Sequence, residues 1–260
     1  MPLERLLQML VDKENVLVSP SLWDDPLELL VDDKLLEEVN HRHQIPEDAP
    51  IYKCIENNHK WYAQCWSYTE ESDAMWRIYS HDKAQRCVRI ETTFGKLQRS
   101  YRRYNGKDTE FFLKPVRYGR LNTGDYLEQA ESVFDEDDAM QNMQLSIEAC
   151  IHLLKHEAYR HENEVRLLAF VPNLKPVAKC YSYSINPVTL IKTIVLDPWT
   201  PKESVNAITT AIKKCAKTGK LKVERSDLYE KKQLVDKLFK SIYGEETGEQ
   251  NERDKLINNH

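Results

Sequence analysis

Segments with β-strand character crowd the middle and late parts of this chain, without a regular alternation of strand and helix. These segments are rich in aromatic and β-branched residues or alternate apolar with polar side chains. They are Trp61–Ser67, Cys87–Glu91, Leu113–Tyr118, Glu164–Val171 and Leu190–Leu196. Because a doubly wound sheet needs a helix after each strand, this order favours the α+β class, with a central mixed or antiparallel sheet and flanking helices.

Helical patterns are placed irregularly around these strands. Apolar residues at one-face spacing predict helices over Leu3–Leu10 and Asn142–Arg160, and Asp73–His81 is predicted as one or two helical turns. Pro201–Lys217 has a proline in its first turn and a glycine just past its end, the usual asymmetry of helix termini. Together with the strands on either side, this last helix predicts a strand–helix–strand unit over 190–225.

Length and composition favour a single domain over residues 1–243, with a polar tail at 244–260 that is expected to fray. No run approaches the roughly 20 apolar residues of a membrane span, and the first residues lack a signal-peptide pattern. We therefore expect a cytoplasmic protein with no membrane partner. The six cysteines form no C-x-x-C pair, and the 7 glycines form no glycine-rich phosphate loop. These features disfavour a zinc ribbon, a P-loop ATPase and a dinucleotide-binding fold.

The net charge is −5, but the charge is unevenly distributed. The segment 96–120 carries eight basic residues against two acidic ones, and aromatic residues lie between them. Those aromatic residues are Tyr101, Tyr104, Phe111, Phe112 and Tyr118. Such a segment is typical of nucleic-acid binding, and the structural alternative is a solvated surface.

The segment Glu162–Arg166 is the strongest candidate for chemistry. If Glu164 begins a strand, the side chains of residues 162, 164 and 166 point to one face. Two carboxylates and a guanidinium this close cost free energy unless a cation, a proton or a polar ligand compensates them. One carboxylate can then accept from a sugar hydroxyl while the other handles the incoming nucleophile. The structural alternative is a solvated strand edge with an internal Glu164–Arg166 pair.

Three further residues are candidates for ligand contact. Ser67 ends a predicted strand, where its hydroxyl can donate to a ligand or brace a neighbouring strand, although serine at this place is also an ordinary turn residue. Trp76 and Tyr79 belong to a short predicted helix and can stack on a nucleobase or a nicotinamide ring. The structural alternative for both aromatic residues is the hydrophobic core.

A second acidic segment leaves open a metal-dependent nuclease. Asp24, Asp25 and Glu28 surround Pro26, and the aspartates can simply cap the following helix. The alternative places them beside the glutamates at 162 and 164 as magnesium ligands. Our preferred interpretation contains no metal site. A third hypothesis is a non-catalytic recognition subunit of a defence system that binds its partner through two basic strips, 96–120 and a second one over 213–225.

Five ordered motifs make the sequence resemble a bacterial family of unknown function. They are Trp23–Glu28, Cys65–Ser67, Met75–Tyr79, Glu162–Arg166 and Arg225–Tyr229, and the match spans about residues 3 to 230. Members of this family often occur beside bacterial defence or mobile-element genes. The resemblance therefore implies a defence or toxin role, with an antitoxin or a defence-system component as partner.

The same order of segments is similar to the ADP-ribosyltransferase superfamily of the Arg–Ser–Glu type, whose substrate is NAD. This resemblance implies an ADP-ribosyltransferase-like fold in which Glu164 bonds the nicotinamide-ribose 2′-hydroxyl and Glu162 orients or deprotonates the acceptor, a nucleic acid or a protein. Ser67 takes the first place of the superfamily's Ser-x-Thr strand. The residues that it assigns to NAD binding are Trp76, Tyr79, Thr69, Arg166 and Arg77.

One departure from the family affects the phosphate-binding arginine. Relatives begin with a short strand that carries Tyr followed by Lys or Arg, whereas this sequence starts at Met1, directly before the first predicted helix. Three alternatives follow from this difference. The arginine is absent and the chain inactive, or another basic residue such as Arg77 replaces it, or it was lost with a misassigned start.

Overall fold

The computed structural model describes residues 1–23, 50–80, 86–119, 143–175, 178–230, 235 and 238–242. Asp24, Asp25, Glu28, Arg120 and the tail 244–260 lie outside this part of the chain. The predictions that rest on them, including the nuclease constellation, are therefore outside the described residues.

Among the described residues up to Arg225 there are ten strands and seven α-helices. In chain order they are α1 (Leu3–Asp12), β1 (Glu14–Val18), α2 (Pro50–Asn57), β2 (Trp61–Ser67), α3 (Asp73–Tyr79), β3 (Val88–Glu91), α4 (Phe94–Tyr101), β4 (Glu110–Pro115), β5 (Arg117–Gly119), α5 (Met143–Ile151), β6 (Leu154–His156), β7 (Glu164–Phe170), β8 (Cys180–Ser184), α6 (Pro187–Leu190), β9 (Thr193–Leu196), α7 (Lys202–Cys215) and β10 (Val223–Arg225). Short 3₁₀ turns cover Pro20–Leu22, Asn58–Lys60 and Glu157–Glu162.

The strands form three sheets. The largest has five antiparallel strands in the order β4-β7-β2-β1-β8, and a three-stranded sheet has the order β10-β9-β3. In the smaller sheet β9 pairs parallel with β10 and antiparallel with β3, and α7 connects the parallel pair. The remaining pair, β5 and β6, is parallel. The predicted α+β class and the strand–helix–strand unit are confirmed.

The main hydrophobic core lies between α1, the five-stranded sheet and the three-stranded sheet. Helix α1 contributes the buried face formed by Leu6, Met9 and Leu10, as the apolar spacing predicts. This helix ends at Lys13, whose backbone adopts the left-handed conformation with φ of 55°. No helix in the described ranges is long and apolar enough to cross a membrane.

The predicted strands are present, with one division and one shortening, because Leu190 ends α6 and β9 begins only at Thr193. The strand Trp61–Ser67 has the bounds given by its pattern, and Glu164 begins β7 as the candidate motif requires. The segment Leu113–Tyr118 is divided at Val116 between β4 and β5. Strand β7 lies between β4 and β2, and its residues from Glu164 to Ala169 are buried. The alternative of a solvated strand edge for the glutamate motif is therefore wrong.

The predicted long helix over Asn142–Arg160 is also wrong. Helix α5 ends at Ile151, and Leu154–His156 form strand β6, which pairs with β5. The carbonyl of Leu153 accepts from the backbone N–H of Arg117 at 2.8 Å. Pairing with a distant strand thus satisfies backbone groups that helical bonds would otherwise use, so tertiary structure overrides the local periodicity.

Candidate functional site

A cleft of about 810 Å³ is lined by the end of β2, helix α3, strand β3 and the start of β7. This volume lies within the range of about 300–1,000 Å³ that is usual for small-molecule sites. Six of the sequence-predicted site residues line it: Ser67, Thr69, Trp76, Tyr79, Glu162 and Glu164. Residues from three separate regions of the sequence therefore meet at one concave surface.

A buried lysine joins the two glutamates. Lys155 Nζ donates to Glu162 Oε2 at 2.8 Å and to Glu164 Oε2 at 3.1 Å. All three side chains are largely buried, with exposed fractions of 9%, 11% and 3% in that order. One ammonium thus fixes both carboxylates and supplies the cation that two neighbouring buried anions require.

Arg166 holds the second carboxylate from within the protein. Its Nε donates to Glu164 Oε1 at 2.7 Å and its Nη2 donates to Glu164 Oε2 at 3.2 Å, so the contact is bidentate. The guanidinium also donates to the carbonyl of His152 at 2.7 Å and lies over the ring of Trp23. Arg166 is fully buried and does not line the cleft.

These cations keep Glu164 ionised. Burial disfavours its charged form, but the charge and hydrogen bonds of Arg166, together with the charge of Lys155, outweigh burial and lower the pKa of Glu164. The thiol of Cys65, opposite Arg166 in the β2–β7 ladder, also bonds the carboxylate. The site therefore presents an oriented anion at neutral pH.

Ser67 and Thr69 brace the turn that carries Glu162. Ser67 Oγ donates to the carbonyl of Glu162 at 2.5 Å, and Thr69 Oγ1 donates to the same carbonyl at 3.2 Å. The backbone N–H of Thr69 in turn donates to Ser67 Oγ at 2.9 Å. The next residue, Asn163, adopts the left-handed conformation with φ of 44° and lets the chain enter β7. The bracing role expected for Ser67 is thus visible in its contacts.

The aromatic residues of the cleft differ in exposure. Trp76 is only 5% exposed, and its Nε1 donates to Glu71 Oε1 at 2.8 Å. Tyr68, Tyr79 and Phe94 are each about half exposed and line the same cleft. Burial and the charge of Glu162 raise the pKa of Tyr79, so its hydroxyl remains a donor. The most exposed ring faces in the cleft lining are those of the three half-exposed residues.

Arg77 lies on the surface of α3 and does not line the cleft. Its Nε donates to Asp73 Oδ2 at 2.7 Å, and its guanidinium lies 5.7 Å from the ring centre of Trp199. The Tyr229 hydroxyl donates to Asp73 as well. Tyr229 closes the motif that begins at Arg225, so this motif attaches α3 to the end of the three-stranded sheet.

Lys155 is the residue of this site that the sequence analysis missed. The helical periodicity of its segment concealed the short strand that directs its side chain toward the glutamates. A usable signal was the charge balance, because two carboxylates in Glu162–Arg166 face a single arginine. A second cation was one of the compensating groups that this balance allowed, beside a proton or a polar ligand.

The described residues give little support to the two alternative functions, a metal-dependent nuclease and a non-catalytic recognition subunit. No group of three or more His, Cys, Asp and Glu side chains that could hold a metal ion occurs among them. The Lys155 ammonium already occupies the position between the two glutamates. In the basic strip, Tyr101, Phe111 and Tyr118 are buried, so these three rings are not available to stack on bases.

His152, beneath Arg166, makes stability depend on pH. Burial and the charge of Arg166 lower the pKa of His152 to about 3 from an ordinary value of 6.5. Below pH 6.5 the imidazole binds a proton in the unfolded chain but stays neutral in the folded chain. The free energy of unfolding therefore falls as the pH is lowered, by about 2 kcal/mol at pH 5. We expect His152→Phe to remove this decrease, measured by urea unfolding at pH 5 and pH 7.5.

The control for this prediction is His59→Phe, at an exposed position. It should retain the wild-type pH dependence. Equal slopes in all three proteins would contradict the assignment to His152.

The comparisons with known proteins give one match. No curated protein and no solved structure matches this chain. Residues 75–167, which include most of α3 and the first residues of β7, match the family described as "Protein of unknown function (DUF2971)".

Proposed function

We propose that this protein is an NAD-dependent ADP-ribosyltransferase-like enzyme that modifies a nucleic acid or a protein in bacterial defence. The observation that carries the proposal is that Glu162, Glu164 and Ser67 line one cleft of about 810 Å³ with half-exposed aromatic rings. This combination suits a ligand that has sugar hydroxyls and a flat ring.

The proposed reaction begins with cleavage of the bond between nicotinamide and ribose. Nicotinamide leaves with the electron pair of this bond, and the ribose becomes an oxocarbenium-like cation. A fixed carboxylate stabilises that positive charge without reorganising during the reaction. Glu164 suits this role because Arg166 and Lys155 lower its pKa and fix both of its oxygens.

Glu162 suits the second step, in which the acceptor is activated. Its Oε2 is held by Lys155, and no hydrogen bond to its Oε1 occurs among the described residues. That oxygen can accept a proton from the acceptor as the acceptor's lone pair bonds the ribose carbon. The products are then nicotinamide, ADP-ribosylated acceptor and one proton.

The aromatic residues support binding of the nicotinamide ring. Tyr79 lines the same cleft as the two glutamates, and its pKa is raised by burial and by their charges. A half-exposed ring at this place can stack on a flat cationic ring such as nicotinamide. The binding roles predicted for Trp76, Arg77 and Arg166 remain predictions.

The test is incubation of the purified protein with NAD labelled in its adenylate part, in the presence of cell extract. We expect release of nicotinamide and transfer of label to macromolecules, and treatment with nuclease or protease would identify the acceptor. Absence of both nicotinamide release and label transfer would contradict the proposal.

A further inference from the structure

Helix α4 carries basic residues from the rim of the cleft along the surface of the protein. Phe94, the first residue of this helix, lines the cleft together with Thr92 and Thr93. The segment 94–108 has five basic residues and a single acidic residue, Asp108, in a chain of net charge −5. The cleft is therefore bordered by a positively charged segment of an acidic protein, which favours the approach of an anionic partner at this side.

Three arginines lie on one face of this helix and of the turn that follows it. Arg102 and Arg103 are three and four residues beyond Arg99, the spacing of neighbours on a helix surface, and the backbone of Arg102 is still helical. All three arginines are exposed, whereas Leu97 and Tyr101 are buried on the other side of the helix. The three cations therefore form one row on the solvent side of α4.

This row of arginines reaches the rim of the cleft. The Arg99 guanidinium folds back along the helix, and its Nη1 lies 3.4 Å from the position that a Cβ of Gly95 would take. Gly95 follows Phe94, whose ring is 46% exposed and lines the cleft. The glycine thus leaves room for a guanidinium beside the residue that bears an exposed aromatic ring.

Two of these arginines keep their donors available. Neither Arg99 nor Arg102 makes a hydrogen bond or an ion pair to a residue in the described ranges. Arg103, by contrast, donates to the carbonyl of Ser184 at 3.1 Å, and its guanidinium lies 4.8 Å from the ring centre of Tyr104. A guanidinium presents a planar set of donors that matches the oxygens of a phosphate group. The row therefore suits a partner that carries several phosphates in succession.

We infer that the α4 surface, formed by Phe94, Arg99, Arg102 and Arg103, binds single-stranded nucleic acid. The arginines contact successive phosphates, and an unstacked base packs on Phe94 at the entrance to the cleft. The bases of a duplex are stacked on one another, so a duplex offers none to this ring. The inference rests on the proposed function only in taking the bound strand as the acceptor of the ADP-ribosyl group.

The test measures binding of a fluorescently labelled single-stranded oligonucleotide of about 12 residues to the full chain, by anisotropy at several salt concentrations and without NAD. We expect the double variant Arg99→Gln, Arg102→Gln to bind at least about tenfold more weakly, and the slope of log K against log salt to decrease by about 0.7 for each arginine removed. Phe94→Ala should weaken binding about tenfold with the slope unchanged, because stacking releases no counterions. Binding of a duplex should not respond to Phe94→Ala.

The matched control removes two lysines of the second basic strip, Lys214→Gln together with Lys220→Gln. Both lysines are exposed and outside the cleft lining. This variant loses the same number of positive charges as the double arginine variant. It should bind the strand as the wild type does.

Failure of the wild type to bind the strand, or equal weakening in the arginine variant and the lysine control, would overturn the α4 surface. Competition by polyglutamate as effective as by unlabelled strand would overturn the assignment to nucleic acid and indicate an acidic protein segment. Because the binding assay needs no NAD, the two proposals fail separately. If the strand binds through these residues in a protein that never cleaves NAD, the surface stands and the proposed function fails. Label transferred from NAD to protein, by a chain that binds no strand, would have the opposite meaning.

Discussion

Replacing Glu164 with glutamine is expected to reduce NAD turnover at least about hundredfold. The substitution keeps the shape of the side chain but removes the negative charge, and loss of one fixed electrostatic group costs about 10²–10³ in kcat. Nicotinamide release under saturating NAD is the measurement. The effect should appear in kcat, because the charge acts on the cation that forms during bond cleavage.

The controls must separate catalysis from folding. Glu164→Gln leaves the guanidinium of Arg166 less well compensated, which costs about 3 kcal/mol of stability in a buried pair. Thermal unfolding should therefore accompany the assay, and Glu164→Asp provides a variant that retains the charge but shifts it. Glu157→Gln is the matched control, since Glu157 is paired with Arg160 at the surface. Undiminished turnover in folded Glu164→Gln would remove Glu164 from the mechanism.

Replacing Lys155 with methionine is expected to destabilise the protein by about 3 kcal/mol near pH 8. This change leaves Glu162 and Glu164 as neighbouring buried anions without their shared cation, and breaking a buried ion pair by removing one partner carries a penalty of this order. Urea unfolding at pH 8 measures it. Lys179→Met, at an exposed position, is the control.

The pH dependence of the Lys155→Met penalty follows from the carboxylates. In the wild type the lowered pKa of Glu164 contributes stability that is present above its ordinary pKa of 4.5 and is lost as pH falls below it. Without Lys155, the orphaned carboxyls take up a proton more readily, so the difference between variant and wild type should shrink toward pH 4.5. Adding Glu162→Gln should restore part of the stability at pH 8. A penalty that is independent of pH and unchanged by Glu162→Gln would contradict this account.

Local patterns were sufficient where the determining contacts are local. The aromatic-rich composition of Trp61–Ser67 predicted β2, and the helical spacing of Leu3–Leu10 predicted α1, because each pattern is contained within the segment itself. The apolar content of 164–171 predicted a strand that begins at Glu164, and the period of two along a strand placed Arg166 on the same face. The pair could be predicted, whereas its burial could not.

Local patterns misled where a distant segment decided the conformation. The leucines at 153 and 154 continue a helical stripe, yet pairing of Leu154–His156 with β5 made this segment a strand. In this strand the side chain of Lys155 points toward the carboxylates of Glu162 and Glu164 and bonds both. The basic strip shows the same limit, because packing buried the rings of Tyr101, Phe111 and Tyr118 that the sequence placed beside the charges.

Sequence alone was enough to identify the α+β class, from the order of its elements, and the two glutamates that border the cleft, from their spacing within one short segment. Tertiary structure decided which cations accompany them. Lys155 approaches from β6, which pairs with the distant strand β5. The physical reason is that charges compensate one another through space, between groups that are distant in sequence. A local periodicity therefore cannot predict which cation lies beside a given carboxylate.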